Sequence, residues 1–393
     1  MQKLTLKDID LKDKNVLVRA DFNVPQDESL RITDDTRIRA TLPTLEYLLR
    51  GGAKKVILMS HLGRPKGARV DKYSLKPVAQ RLKELLGKEV KFLNDCVGQD
   101  LKPQIQIAAE PVVLLENLRF HAEEEANEPG FAKSLAGLAD IFVNDAFGTA
   151  HRAHASTEGV THYLKSAAGF LLQKEIEYLG QAVANPQKPF VVILGGAKVS
   201  DKIGVIDNLL PKCDRILIGG GMAYTFLKAK GISIGNSKLE KDKLDLAASI
   251  LKKAAEMKKE IVLPVDHIVV DKVDANAAAD TVGENIPDGK IAVDIGPKSI
   301  ALFREKLKDS RTIVWNGPMG IFEMDAFSQG TAEIARFISE IGATTIIGGG
   351  DTAAAMVKFK LEEKMTHIST GGGASLEFLE GKTLPGIAAL TDK

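Results

Sequence analysis

Short apolar, β-branched runs alternate with stretches of helical periodicity almost from one end of the chain to the other. In the first half the runs predict strands over 15–22, 56–61, 90–93, 112–116 and 141–144. In the second half they predict strands over 190–194, 215–218, 261–265, 291–295, 312–315 and 344–347. Between them, 37–49, 75–86, 197–210, 239–258 and 329–341 carry apolar residues at helix spacing. Strands that alternate with helices build βαβ units and parallel sheets. Continuous apolar runs such as FVVIL (190–194) and KVILM (55–59) suit sheets covered on both faces. The pattern therefore predicts an α/β protein of two doubly wound, mainly parallel-sheet domains. Their boundary is expected at a helical stretch, 169–184, followed by Asn185-Pro186-Gln187-Lys188-Pro189, whose prolines stop a helix. The domains are expected at 1–168 and 185–383, joined through that helix.

Composition narrows what such a molecule can do. The 393 residues hold 53 Lys+Arg and 52 Asp+Glu, a net charge of +1, which argues against an extended nucleic-acid footprint. The longest uncharged run, 216–227, is too short to span a bilayer, and the N-terminus lacks the apolar core of a signal peptide. Only Cys96 and Cys213 are present, so neither a disulfide framework nor a Cys-based zinc site is expected. Both are expected to be buried structural thiols in a reducing compartment. The totals hide an asymmetry. Cut after residue 168, the chain has 10 of its 14 Arg before the cut and 25 of its 35 Gly after it. Arg offers a rigid fork for carboxylates and phosphates, and Gly lets backbone approach a ligand. Two halves with different binding chemistries follow.

In open α/β sheets, ligands sit outside the carboxyl ends of the strands. In the first half those positions hold Asp21-Phe22-Asn23, Ser60-His61-Leu62-Gly63-Arg64, Glu116-Asn117-Leu118-Arg119 and Asp145-Ala146-Phe147, with His151-Arg152-Ala153-His154 beyond. Arg37 opens the helix after the first strand. A single Arg reads as a solvated surface residue. Four near strand ends read as a pocket for a small, multiply charged anion. His151 and His154 lie three apart and could share a helical face as metal ligands, but hydrogen bonding to an anion or a structural role is preferred.

The second half uses glycine. Gly195-Gly196-Ala197-Lys198 follows the FVVIL strand, and Lys202, four residues on, is expected to share a helical face with Lys198. Gly219-Gly220-Gly221, Gly348-Gly349-Gly350-Asp351-Thr352 and Gly371-Gly372-Gly373 repeat the theme. Glycine loops ahead of helices present backbone N–H groups to phosphate. One such loop is as readily a tight turn; four in one half point to a polyphosphate ligand. Asp351 could reach a phosphate-bound Mg²⁺ or cap the following helix. Glu323, beyond Asn316, could take a ribose hydroxyl. There is no G-x-G-x-x-G opening a βα unit, and Gly381-Lys382-Thr383 only approximates a P-loop. No nucleophile–base arrangement stands out, which suits phosphoryl transfer, where positioning and charge neutralisation dominate.

The segments RADFNVP (19–25), SHLGRPKG (60–67), LLENLRFH (114–121), DAFGTAHRAHAST (145–157), GGAKVSDKI (195–203), GGGMAYTF (219–226), WNGPMGIFE (315–323), GGGDTAAA (348–355) and STGGGASLEFLEGK (369–382) resemble the phosphoglycerate kinase family, in one order along the whole chain. The resemblance implies two Rossmann-like domains joined by a hinge helix, with residues 384–393 packing back on the first. It implies that the first domain takes 3-phosphoglycerate or 1,3-bisphosphoglycerate at Asp21, Phe22, Asn23, Arg37, His61, Leu62, Gly63, Arg64, Arg119 and Arg152. The second would take ADP or ATP with Mg²⁺ at Gly196, Lys198, Lys202, Gly220, Asn316, Glu323, Gly349, Gly350, Asp351 and Thr352, with Asp351 next to the metal. Arg37, Lys198, Lys202 and Gly371, Gly372 and Gly373 would act on the migrating group. A cytoplasmic monomer, with small-molecule substrates and neither nucleic-acid nor membrane partners, is expected. A nicotinamide-dependent dehydrogenase, another carboxylate kinase and an inactive binding protein are the rival readings.

Overall fold

A computed structural model describes residues 2–393. The chain forms two compact units: one runs to Glu177 and takes in Thr383–Lys393, and the other is Tyr178–Lys382. The helix Phe170–Ala184 begins in the first and ends in the second.

In the first unit β1 (Asn15–Ala20), β2 (Lys55–Met59), β3 (Val90–Phe92), β4 (Val112–Leu114), β5 (Ile141–Asp145) and β6 (Ser166–Ala168) form one parallel sheet in the order β3-β4-β2-β1-β5-β6. The order reverses between β1 and β5, the crevice where α/β sheets bind ligands. Register aligns the strand ends there: Arg19 pairs with Met59, and Ala20 with Asp145. Val16, Val18, Leu58, Leu114 and Val143 are fully buried beneath helices. Each contributes about 1.5–3 kcal/mol relative to an exposed side chain. The C-terminal segment is tied to the same unit. The Lys3 ammonium donates to the carbonyls of Ala388 and Leu390 at 2.7 and 2.8 Å and pairs with Asp392, and Asn144 donates to the Gly386 carbonyl.

The second unit repeats the plan. It contains β7 (Phe190–Leu194), β8 (Arg215–Ile218), β9 (Glu260–Val262), β10 (His267–Val270), β11 (Asp280–Val282), β12 (Ile291–Ile295), β13 (Thr312–Asn316), β14 (Thr344–Gly348) and β15 (His367–Ile368). Six of them form a parallel sheet, β15-β14-β13-β7-β8-β9, which reverses between β7 and β13. Asn316 pairs with Leu194 on one side and Gly348 on the other, so the loops opening at Gly195, Gly317 and Gly349 emerge side by side.

β6, β10, β11 and β15 lie outside the predicted strands. β6 is Ser-Ala-Ala and β15 has two residues, too short for a periodic signal. β12, predicted from its pattern, joins an antiparallel sheet with β10 and β11 instead of the main one. Periodicity identifies a strand but not its partner.

Candidate active site

In the first unit the residues past β1 and β2 hold one another. Arg37, in the first turn of the helix Thr36–Arg50, donates from Nη1 to Asp21 Oδ2 at 2.7 Å. Asn23 Oδ1 accepts the Gly63 N–H at 2.9 Å, and the Gly63 carbonyl accepts from Arg119 Nη1 at 2.9 Å. Gly63 has φ +63°, and a Cβ there would lie 2.3 Å from the Tyr73 ring, so this position requires glycine. Arg119 is aimed by Asn117, whose side chain accepts the Arg119 N–H and donates to the carbonyls of Leu62 and Tyr73. Arg119 is buried with its charge met by Glu125 at 3.2 Å. Burial, then the fields of Arg152 and Arg64, lower its pKa. Those two guanidiniums therefore share its surroundings. Arg64 is exposed, and Arg152 donates to His151 Nε2 at 3.1 Å.

His61 is buried, with Nδ1 3.3 Å from Arg19 Nη2 and 4.0 Å from Asp21. Burial, then Arg19, Arg119 and Arg37, push its pKa well below the ordinary value, so the ring is neutral at pH 7. Phe22 and Leu62 are 0% and 3% exposed, so their side chains belong to the core and only their backbone is left to meet a ligand. Likewise, 151–154 forms no helix, and the spacing of His151 and His154 does not put them on a shared helical face.

A layer beneath the pocket escaped sequence reasoning. Arg19 Nε donates to Ser156 Oγ at 2.8 Å, and Ser156 donates through Oγ and N–H to the two oxygens of buried Glu124, at 2.6 and 3.0 Å. Burial pushes the Glu124 carboxyl up and the Arg19 guanidinium down, while each opposes the shift of the other. A usable signal was present. Arg19 is the only charged residue in a strand buried on both faces, which demands a buried acceptor. Its partner could not be chosen among Glu123, Glu124 and Glu125.

In the second unit the glycine loops pack on one another. The Gly196 N–H donates to the Pro318 carbonyl and the Gly220 N–H to the Met319 carbonyl, each at 2.9 Å. A Cβ on Gly220, at φ +62°, would lie 2.6 Å from Gly196 N. These two amides are committed to the loop scaffold, which corrects the expectation that they cradle phosphate. The Thr352 hydroxyl is similarly occupied, accepting the Gly317 N–H at 2.7 Å. Lys198 and Lys202 do not share a helix, because the helix starts only at Ile203. Glu240 accepts the N–H groups of Val199 and Ser200 and the Ser200 hydroxyl, holding the preceding turn open. Lys198 is exposed; Lys202 is partly buried and donates to Asn316 Oδ1. Burial lowers its pKa, against Asp201, Asp351 and Glu380.

What remains open is well placed. Asn316 Nδ2 is buried with no partner, an orphaned donor beside Gly348 and Gly349. The helix Gly350–Lys358 is preceded by Gly349 and has no side-chain cap, so the N–H groups of Gly350, Asp351 and Thr352 point out of its first turn. Asp351 is the second residue of that helix and not its cap. Gly372 precedes the short helix Gly373–Leu379, also without a side-chain cap. A cavity of about 370 Å³ brings Gly196, Gly220, Tyr224, Met319, Glu323 and Asp351 together. Its apolar walls and acidic rim suit a flat, polar-edged ligand.

The phosphoglycerate kinase family profile matches residues 6–382. The chain belongs to the phosphoglycerate kinase family. It is 59% identical to the phosphoglycerate kinase of Koribacter versatilis, over all of both chains. Among solved structures, the phosphoglycerate kinase of Coxiella burnetii superposes with TM-score 0.91 at 44% identity, covering 98% of each chain. That of Pyrococcus horikoshii superposes with TM-score 0.84 at 34% identity, also covering 98% of each. The fold is therefore the family's pair of Rossmann-like α/β domains, and the protein is a phosphotransferase of glycolysis that acts on small-molecule substrates.

Proposed function

We propose that the first unit binds the phosphoglycerate and the second the nucleotide, and that the residues above divide the work as follows. Arg64, Arg119 and Arg152 hold the phosphorylated acid, Asn23 and neutral His61 add hydrogen bonds without charge, and Asp21 orients Arg37. The cavity beside Glu323 takes the nucleoside, with Glu323 on the ribose. Lys198, Lys202, Asn316 Nδ2 and the N–H groups of Gly349–Thr352 take its phosphates. The observation that carries this reading is the hydrogen-bonded chain Arg37–Asp21 and Asn23–Gly63–Arg119 past the carboxyl ends of β1, β2 and β4. It holds cationic forks ready before any ligand arrives.

An ADP β-phosphate oxygen attacks the acyl phosphate of 1,3-bisphosphoglycerate in line, and the bond to the carboxylate of 3-phosphoglycerate breaks. A carboxylate leaves without a proton, so no general acid is needed. Arg37, Lys198, Lys202 and the amides of Gly371, Gly372 and Gly373 stabilise the charge spread over the migrating group. An exposed carboxylate such as Asp351 fits a hard cation that keeps most of its shell for water and phosphate. Mg²⁺ held there would supply neutralisation of phosphate charge. Arg37 lies in one unit and the lysines in the other, so transfer requires the two ligands to be brought together and water excluded. The helix Phe170–Ala184 serves as the hinge. Every group named comes from one chain, so a monomer suffices, and the cytoplasm supplies all the substrates. Among the described residues no helix is long and apolar enough to cross a membrane.

Phosphorus NMR on purified protein with ATP, Mg²⁺ and 3-phosphoglycerate tests the reaction. An acyl-phosphate resonance is expected, or, with hydroxylamine present, the hydroxamate together with released inorganic phosphate. Absence of both overturns it.

A further inference from the structure

Two residues beyond Arg119, the fold gathers three side chains whose chemistry no phosphoryl transfer uses. Asp95 and Cys96 lie in the loop after β3, and His121 follows β4 and its 3₁₀ turn. One donor atom from each falls within 4.8 Å of the others. His121 Nε2 lies 2.7 Å from Asp95 Oδ1, which also accepts the Cys96 N–H at 2.7 Å. Cys96 is fully buried, whereas His121 is 28% and Asp95 53% exposed in their side chains. The thiol therefore forms the floor of a site whose other two walls face water. Counting cysteines argued against a Cys-based zinc site. It did not anticipate that one Cys would be joined by a His 25 positions away.

We propose that Asp95, Cys96 and His121 bind a soft divalent cation of the Zn²⁺ class, with the fourth position open to water. The donor set is that of zinc: thiolate, imidazole and carboxylate. Bond lengths of about 2.3 Å to sulfur and about 2.0–2.2 Å to nitrogen and oxygen place tetrahedral ligands roughly 3.3–3.6 Å apart. The 2.7 Å His121–Asp95 contact must open to that spacing and the Cys96 sulfur must close to it, shifts of about an ångström that the partly exposed His121 and Asp95 side chains can make. On binding, the Cys96 thiol gives its proton to solvent, its sulfur lone pair goes to the metal, and His121 binds as neutral imidazole. The inference is independent of the kinase assignment.

The test uses full-length, metal-free protein without nucleotide, titrated with Co²⁺ and then Zn²⁺. A near-ultraviolet thiolate-to-cobalt band should grow to saturation at equimolar metal and collapse on adding Zn²⁺. It should vanish in Cys96→Ser and persist in Cys213→Ser. Should Cys96→Ser fail to fold by circular dichroism, His121→Ala and Asp95→Asn carry the test, since both positions reach solvent. Loss of either ligand should weaken Co²⁺ binding at least about tenfold, the lower scale for losing even an outer-shell partner. No band in the native protein, a band that survives Cys96→Ser, or unchanged Co²⁺ affinity in both His121→Ala and Asp95→Asn overturns the site.

Discussion

Replacing Arg37 by Ala separates catalytic from structural roles most sharply. Its guanidinium touches Asp21 Oδ2 at 2.7 Å, and its side chain is 39% exposed. A half-exposed pair of this kind contributes at most about 1 kcal/mol to folding. Asp21 keeps the Asn23 N–H at 3.2 Å, so it is not stranded by the change. Stability should therefore fall little, with the urea midpoint nearly unmoved. Turnover should fall by roughly 10²–10³, or about 2.7–4 kcal/mol, the scale of losing one preorganised donor to the transition state. Because the lysines and the cavity belong to the other unit, ADP affinity by calorimetry should stay within a factor of about two, under 0.5 kcal/mol. Arg37→Lys restores charge but not the fork and should recover only part of the rate. Unchanged turnover, or a rate loss matched by an equal loss of ADP binding, would refute the placement of Arg37 on the migrating group.

The second unit gives the complementary case: Lys202→Ala should weaken ADP binding or turnover while 3-phosphoglycerate binds as before, and loss of 3-phosphoglycerate affinity alone would contradict it. Glu124→Ala strands the Arg19 charge beneath the pocket and should destabilise by about 3–5 kcal/mol in urea. Ser156→Ala, which removes only the bridging hydroxyl, should cost about 1–3 kcal/mol, and equal costs would argue against a buried charge relationship. Asp294 is buried, accepts the N–H groups of Ile295 and Gly330, and has its pKa raised by burial to about 7. Its folded pKa exceeds the unfolded one, so the native state keeps the proton longer and stability falls as pH rises from about 4 to about 7. Asp294→Asn should remove up to about 4 kcal/mol of that pH-dependent loss, seen as a flatter slope of unfolding free energy against pH.

Legibility in the sequence followed chain distance. Strands β1, β2, β5, β7, β8, β13 and β14 announce themselves because five or so consecutive residues carry the signal. Asp21, Asn23 and Gly63 were reachable because each sits just past such a strand, Arg119 follows the shorter β4, and the carboxyl-end rule supplies the rest. Arg19 was visible as an anomaly but lacked a partner. The Lys198–Lys202 helix failed because the four-residue spacing is also compatible with a turn, and Glu240, some 40 positions on, selects the turn.

The order of residues specifies the two α/β halves, the division into an Arg-rich and a Gly-rich binding chemistry, and through its motifs the family. Periodicity, backbone permissiveness and side-chain charge are local properties, so they survive in a string of letters. Tertiary structure alone decided which polar groups are already committed. The Gly196 and Gly220 amides are committed to Pro318 and Met319, while Asn316 Nδ2 is left without a partner. It also decided that Arg19 meets Ser156 across 137 positions and that His121 meets Asp95 and Cys96. Burial forces each polar group to find an acceptor or a donor, and which one lies in reach is set by strand register, which only the folded sheet supplies.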